Sequence, residues 1–479
     1  MKLPTRPSLL LLALWLGDPV FAGQSLEQVR YALYKDPNAN VVADLRELSA
    51  RGDRASKQLL GDVLSNSDTV NLDEVLGLYK DAFADGTGEI PALASLVRLL
   101  DRNPRLRDQQ HGYVTRALTL YPHALDPRTI STTLEVFLVY PRDFNVADAR
   151  QLLSLYQQSC LLNCHSELYQ AVLAEREGNR GLADRHYQAA VKVDVRAVDR
   201  YYRFLGEQQD SLFQRFAATL EPQRASLPVE IVHRIGALLD SINSLQRVDD
   251  EADKDERLAS GMGPKPVKAP PTPEQIAADK AKAAAIARVQ GWFDNAAERG
   301  YVPALVSKVN FMVSNPTEHN AEETQALINR VQALDPTRAK ALQASFYMVT
   351  NWLTLDPQKA QVLINELIAA RYRDAQLLLG ELYSKGGLDQ PDQEKALQIY
   401  QEQARLGSTA AYYRIATLYF RARALCNDPV KAYAYAQVAL DLGENRARGL
   451  LKRLDRVMKK DDIDRAQLAR ADLMKEAQL

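Results

Sequence analysis

Through the second half of the chain, apolar residues recur at three- and four-residue intervals in short runs, and polar turns break the runs at regular distances. That spacing places the apolar side chains of each run on one helical stripe, so it predicts amphipathic helices rather than strands. Set out in rows of 36, residues 303–446 fall into four units beginning at Pro303, Ala339, Ala375 and Ala411. A small-residue column reads Lys308/Ala344/Gly380/Ala416, its first member departing, and an aromatic column reads Phe311/Tyr347/Tyr383/Tyr419. Two adjacent columns read Glu323/Lys359/Lys395/Lys431 and Thr324/Ala360/Ala396/Ala432, and the closing column reads Asp335/Arg371/Gly407/Gly443. The last three units hold this register without an insertion; the first matches in part.

Each unit reads as two short helices. In the third, Ala375, Leu378, Leu379, Leu382 and Tyr383 share one stripe, and Ala396, Leu397, Tyr400 and Ala404 share the other. Asp356-Pro357 and Asp428-Pro429 have the order of an N-cap followed by proline at the first helical position. Gly407 and Gly443 stand where a helix closes in the left-handed region. Small residues at the columns let neighbouring helices approach closely. A helix-turn-helix period of this length predicts an all-α fold, a right-handed α-solenoid whose units bury their apolar faces only against one another.

The first half carries the theme less regularly. Gly52, Ala55, Leu60, Gly61 and Leu64 recur one period later as Gly88, Pro91, Leu96, Val97 and Leu100. Another pair runs through Leu168-Tyr169, Ala174, Gly178, Ala183, Tyr187 and Ala190. Thr133 to Tyr140 (TLEVFLVY) has the composition of a strand but sits between helical patterns with no strand to pair with, so it is assigned to a helix. The organisation expected is a helical repeat array over 23–248, a linker at 249–273, a second array over 274–446, and a helical cap over 447–479. The linker joins a charge run to a Gly/Pro-rich stretch with almost nothing to bury.

The first 22 residues read as a cleavable secretory signal. Lys2 and Arg6 supply the positive start, Leu9 to Leu16 the apolar run, and Val20-Phe21-Ala22 the small-residue cleavage site before Gly23. The destination expected is the periplasm. A lipoprotein signal would place cysteine where Gly23 stands. No apolar window of membrane-spanning length occurs elsewhere. The charged residues number 60 basic and 61 acidic, a formal net charge of −1. That balance lacks the broad positive field of non-specific nucleic-acid binding, so no nucleic-acid partner is expected.

The chemistry of an enzyme is hard to find. The six histidines are scattered, and no HExxH, P-loop, GxSxG elbow, GxGxxG fingerprint or paired CxxC occurs. We therefore read the chain as having no catalytic residues, no cofactor and no metal site. Cys160 and Cys164 are spaced C-x3-C, wrong for haem attachment. In an exported protein they read as a local disulfide, with two buried free thiols as the alternative. The Tyr347/Tyr383/Tyr419 column is read as inter-helix packing rather than a sugar-stacking ladder, because it lies on the apolar stripe. Lys359/Lys395/Lys431 read as a solvated edge, with an anionic polysaccharide as the other partner such a row could meet.

Units 375–410 and 411–446 resemble Sel1-like repeats, relatives of the tetratricopeptide repeat. The residues that carry the resemblance are Ala375, Leu379-Gly380, Tyr383, Asp392, Lys395-Ala396 and Gly407, then Ala411, Ile415-Ala416, Tyr419, Asp428, Lys431-Ala432 and Gly443. Unit 339–374 is weaker, with Ala339, Tyr347 and Ala360 in place but Ala344 and Arg371 for the two glycines. The whole layout is also similar to the periplasmic scaffold family of bacterial alginate export, the AlgK family. That likeness rests on the leader, the helical-repeat coverage, Tyr140-Pro141 with Phe144-Asn145, and Cys160…Cys164 leading into Glu167-Leu168 and Gly178-Asn179. It implies an assembly role, with an outer-membrane export barrel and periplasmic polysaccharide-modifying proteins as partners. A generic envelope adaptor and a polysaccharide-binding or lyase-like helical protein are the competing readings.

Overall fold

The computed structural model describes residues 25–35, 39–65, 71–120, 126–159, 165–243, 272–385, 391–406, 408–421 and 428–476. The leader expected at 1–22 and most of the stretch 249–273 lie outside them. Every regular element among the described residues is helical. In chain order they are α1 (Leu26–Lys35), α2 (Val42–Ala50), α3 (Arg54–Ser65), α4 (Leu72–Phe83), α5 (Ile90–Asp101), α6 (Pro104–Leu120), α7 (Pro127–Val139) and α8 (Val146–Ser159). Then come α9 (Glu167–Arg176), α10 (Arg180–Ala190), α11 (Arg196–Phe204), α12 (Gln209–Leu220), α13 (229–243), α14 (Pro273–Glu298), α15 (Val302–Ser314) and α16 (Ala321–Leu334). The last eight are α17 (Pro336–Phe346), α18 (Pro357–Ala369), α19 (Ala375–Ser384), α20 (Gln393–Arg405), α21 (Thr409–Arg421), α22 (Pro429–Asp441), α23 (Ala447–Val457) and α24 (Lys460–Glu476).

Odd-numbered helices pack against the even-numbered helix that follows, as α3 does on α4, α9 on α10, α19 on α20 and α21 on α22. They also touch the next odd-numbered helix: α3 meets α5, α5 meets α7, α7 meets α9, α15 meets α17 and α17 meets α19. Two layers stepped in this way make an all-α solenoid. The stretch 133–140 is helical, in α7 and the residue that ends it. Asp126 caps that helix on the N–H groups of Arg128 and Thr129, and Pro127 opens it. Aspartate caps also start α18, α20 and α22, where Asp356, Asp392 and Asp428 accept from the N–H groups of Lys359, Lys395 and Lys431, and Pro357 and Pro429 open the first and last.

The columns locate the core. Ala339, Ala360, Ala396, Ala411, Ala416 and Ala432 are wholly buried, and Ala375 is all but so. The first unit is registered differently from its row: Ala304 and Val309 are wholly buried in the places of Ala339 and Ala344, while Pro303 and Lys308 are only partly covered. The buried register of its front helix is therefore shifted by one residue, and buried Thr324 restores the column in α16. At the closing column Gly443 has φ +93°, and Arg371 takes the left-handed region too at φ +57°. A side chain there costs about 1–2 kcal/mol in backbone strain, which the flanking packing absorbs.

Glycine at Gly380 is a requirement of distance. A Cβ on it would collide with the ring of Tyr400, which lies flat across α19 from α20. Gly61 repeats the arrangement in the first half, its would-be Cβ 2.6 Å from the ring of Tyr79 on α4. Gly77, inside α4, meets nothing within 4 Å.

Helices on either side of 244–271 are continuous in packing. Trp292 and Phe293 of α14 seat against Gly236 of α13, and His233 of α13 hydrogen-bonds Ser307 Oγ of α15 at 2.9 Å. Burial, then the neighbouring Arg234 charge, pushes the His233 imidazole down to about 4. Its folded value lies below the unfolded one of about 6.5, so the neutral form contributes stability above that pH. The contribution is lost as pH falls from about 6.5 towards 4.

Two measurements check this account. Gly380→Ala and Gly61→Ala should each lower stability by about 1–2 kcal/mol through overpacking, whereas Gly77→Ala should raise it by about 0.5–1 kcal/mol, all by denaturant melts. A loss at Gly77, or none at Gly380, would contradict the close-approach argument. In a second series, wild-type stability should slope downward between about pH 6.5 and 4, and His233→Gln should flatten that slope.

Candidate functional site

The tyrosine and lysine columns meet at the turns between paired helices. Lys359 Nζ lies over the Tyr347 ring at 5.6 Å, Lys395 over Tyr383 at 4.1 Å, and Lys431 over Tyr419 at 5.2 Å. The backbone closes the same turns, Asp356 N–H donating to the Tyr347 carbonyl at 2.9 Å and Asp392 N–H to that of Tyr383 at 3.0 Å. Each lysine shares its turn with the capping aspartate three residues earlier; Lys359 Nζ is 2.9 Å from Asp356 and Lys431 Nζ 3.7 Å from Asp428. The row is thus offset by an equal row of carboxylates. Tyr347 and Tyr383 are half-buried, and Tyr419 is buried and stacked on Tyr435 at 5.9 Å. Gly407, Cys160 and Cys164 lie outside the described residues.

The odd-numbered helices carry a different chemistry. Arg414 of α21 pairs with Glu381 of α19 at 2.9 Å, and Arg446, just before α23, holds Glu444 at 2.8 Å. Arg234 of α13 bonds both oxygens of Asp199 on α11 at 2.8 and 2.7 Å, and Arg200 reaches Asp101 at the end of α5 at 2.6 Å. Glu135 of α7 accepts from the Tyr169 hydroxyl of α9 at 3.0 Å and from Arg196 at 2.6 Å, bridging three successive odd-numbered helices. For Arg234, Arg414 and Arg446 burial is the leading influence, yet the side chains of Arg234 and Arg446 remain 42% open to water. These pairs line the face that the odd-numbered helices share, the inner face onto which α23 returns.

Glu381 shows the strength of that environment. Burial pushes its carboxyl upward, but Lys385 and Arg414 together hold it far below the usual carboxylate range. A depressed folded value means its contribution is present above the unfolded value of about 4.3 and is lost as pH falls below it.

Curvature brings α23 back onto the turn between α11 and α12. Lys452 Nζ lies 2.9 Å from Asp210, 242 positions away in the chain, and the Tyr202 hydroxyl donates to the other Asp210 oxygen at 2.5 Å. Arg448 covers the Tyr202 ring at 5.4 Å, with the Gln209 carboxamide wedged between its guanidinium and the Tyr202 carbonyl. A cavity of about 300 Å³ opens here, lined by Arg203, Gly206, Glu207, Gln209, Asp210, Arg448 and Lys452. The burial of Arg203 and the charge of neighbouring Arg200 pull its guanidinium below its ordinary value. None of these residues belongs to a repeat column. The one trace in the chain is the acid-x-Arg-Ala turn, Asp194 to Ala197 before α11 and Glu444 to Ala447 before α23, which builds the same folded-back ion pair at both places.

Among the described residues no three His, Cys, Asp or Glu side chains group to hold a metal. None of the described helices is long and apolar enough to cross a membrane. No family model matches the chain. The chain is similar to the alginate biosynthesis protein AlgK of Pseudomonas syringae pv. tomato, 22% identical over 440 residues, which is 91% of this chain and 85% of that protein. Among solved structures it is similar to a protective antigen of uropathogenic Escherichia coli displaying an SLR fold, 15% identical over 92% of this chain and 95% of that one, with a TM-score of 0.26.

Glu381→Gln should leave Arg414 and Lys385 short of their counter-charge and cost about 1–3 kcal/mol, less than for a dry ion pair because both partners are partly wetted. Melts below about pH 4 should show the gap between variant and wild type closing; a constant gap would mean Glu381 acts through packing alone.

Proposed function

We propose that this chain is a non-enzymatic solenoid scaffold in the export of an alginate-like exopolysaccharide, working in the periplasm after removal of the leader at 1–22. The observation that carries this reading is the similarity to AlgK along 91% of the chain. A local motif shared by unrelated repeat proteins would not extend so far.

The architecture supports the same reading. The recurrent alanines and glycines are consumed in packing helix on helix, and the recurrent lysines and tyrosines in locking turns. What remains to meet other molecules is surface, laid out along many stepped helices, and such surfaces hold several partners in fixed relation. The partners proposed are an outer-membrane export barrel and periplasmic polysaccharide-modifying proteins.

In-cell crosslinking of the tagged full chain, followed by identification of what it captures, checks this. Recovery of an outer-membrane barrel together with polysaccharide-modifying proteins is expected. Capture of peptidoglycan enzymes alone would replace the export role with a cell-wall adaptor.

A further inference from the structure

We propose that the cavity between the α11–α12 turn and α23 binds a hexuronate unit of an acidic polysaccharide through its carboxylate, a site that rests on the export reading above. The argument starts from unmatched charge. On the inner face, Arg200, Arg234, Arg414 and Arg446 each hold a carboxylate. Arg203 and Arg448 do not. Arg203 donates only to the Asp199 carbonyl, at 3.4 Å, because the carboxylates nearest it are engaged by Arg234 and Arg200. The Arg448 Nε is buried without a hydrogen-bond partner. Both face one cavity, and the third cation there, Lys452, is already held by Asp210.

Two guanidinium groups lining one open recess favour a planar carboxylate, which a guanidinium binds through two parallel hydrogen bonds. Crowding by its neighbours, then the charge of Arg200, lowers the affinity of Arg203 for its proton, and Asp101 and Asp199 offset this only in part, so an incoming anion is favoured there.

The remaining lining selects the kind of carboxylate. Glu207 and Asp210 supply carboxylate acceptors, and Gly206, at φ +71°, carries no side chain over the opening. A uronate ring brings hydroxyl donors for the carboxylates as well as its own carboxylate for the arginines. An acidic peptide side chain brings acceptors only, with no hydroxyl donor for Glu207 and Asp210. The cavity is at the small end of the range for ligand sites, which fits one sugar unit of a chain passing along the inner face.

The test is calorimetric titration of the purified mature protein with mannuronate and guluronate oligosaccharides, with neutral gluco-oligosaccharides and polyglutamate as controls. Wild type should bind the uronates, more weakly at higher salt, and should ignore the neutral sugar. Arg203→Gln should weaken binding about tenfold or more, as expected for loss of a charge-assisted hydrogen bond. Arg203 reaches solvent past its crowded neighbours and holds no ion pair, so the helical circular dichroism and melting of that variant should match wild type. Arg203→Lys should restore binding in part, the charge being kept and the fork lost.

No uronate binding by wild type, or equal binding by Arg203→Gln, overturns the site. Displacement of the uronate by polyglutamate at matched charge assigns the cavity to an acidic protein segment instead. The scaffold reading is scored separately, by crosslinked partners: Arg203→Gln should still capture them. Uronate binding without such capture would leave the site standing and the scaffold role failed.

Discussion

Close approach of helices is the constraint on which the molecule depends. A two-helix unit of this length cannot bury its own apolar face, so each borrows its neighbours, and the distance between helices sets how much surface leaves water. Alanine at the front and back columns and glycine beneath a tyrosine ring keep that distance short. Gly380 under Tyr400 and Gly61 under Tyr79 are the same solution reached in two halves that otherwise share little regular sequence. In each, the residue after the glycine is acidic and engaged: Asp62 accepts from the Tyr79 hydroxyl at 2.9 Å, and Glu381 holds Arg414.

From that constraint the two faces acquire different characters. Turns between paired helices are locked locally by capping aspartate, lysine and tyrosine within a dozen residues of one another. Their charges cancel where they stand. The inner face is built instead from arginines and carboxylates on different helices, three or more steps apart in some cases, as with Asp101 and Arg200. Such pairs form only if the curve is right, so they act as a check on curvature as well as a charge pattern. Where the curve closes, at α23 on the α11–α12 turn, the pairing is incomplete, and the cavity is the result.

This division explains why the proposed scaffold role and the proposed uronate site draw on different residues. Partner surfaces need length and repetition, which the stepped helices provide throughout. A site for one charged sugar unit needs convergence, which a solenoid attains only where distant units meet.

How much of this was legible in the chain follows the same line. Helix positions, caps and the 36-residue register were readable because they rest on contacts between near neighbours: Asp392 with Lys395, Gly380 with Tyr400. TLEVFLVY could be placed in a helix because it sits between helical patterns with no strand to pair with, and in the structure Asp126-Pro127 starts that helix. The first unit reads as a partial match in the chain, and its front register lies one residue off the row, since only burial tells Ala304 and Val309 from Pro303 and Lys308. The lysine column was visible as a row, but its pairing with tyrosine and aspartate needed the turn geometry. Arg203, Asp210, Arg448 and Lys452 were not visible as a group at all. Their proximity depends on small rotations summed over the units between α12 and α23, and a summed rotation leaves no mark at any single position. Local periodicity is written in the chain because each helix is stabilised by its nearest neighbours; convergence across 242 residues belongs to the curvature alone.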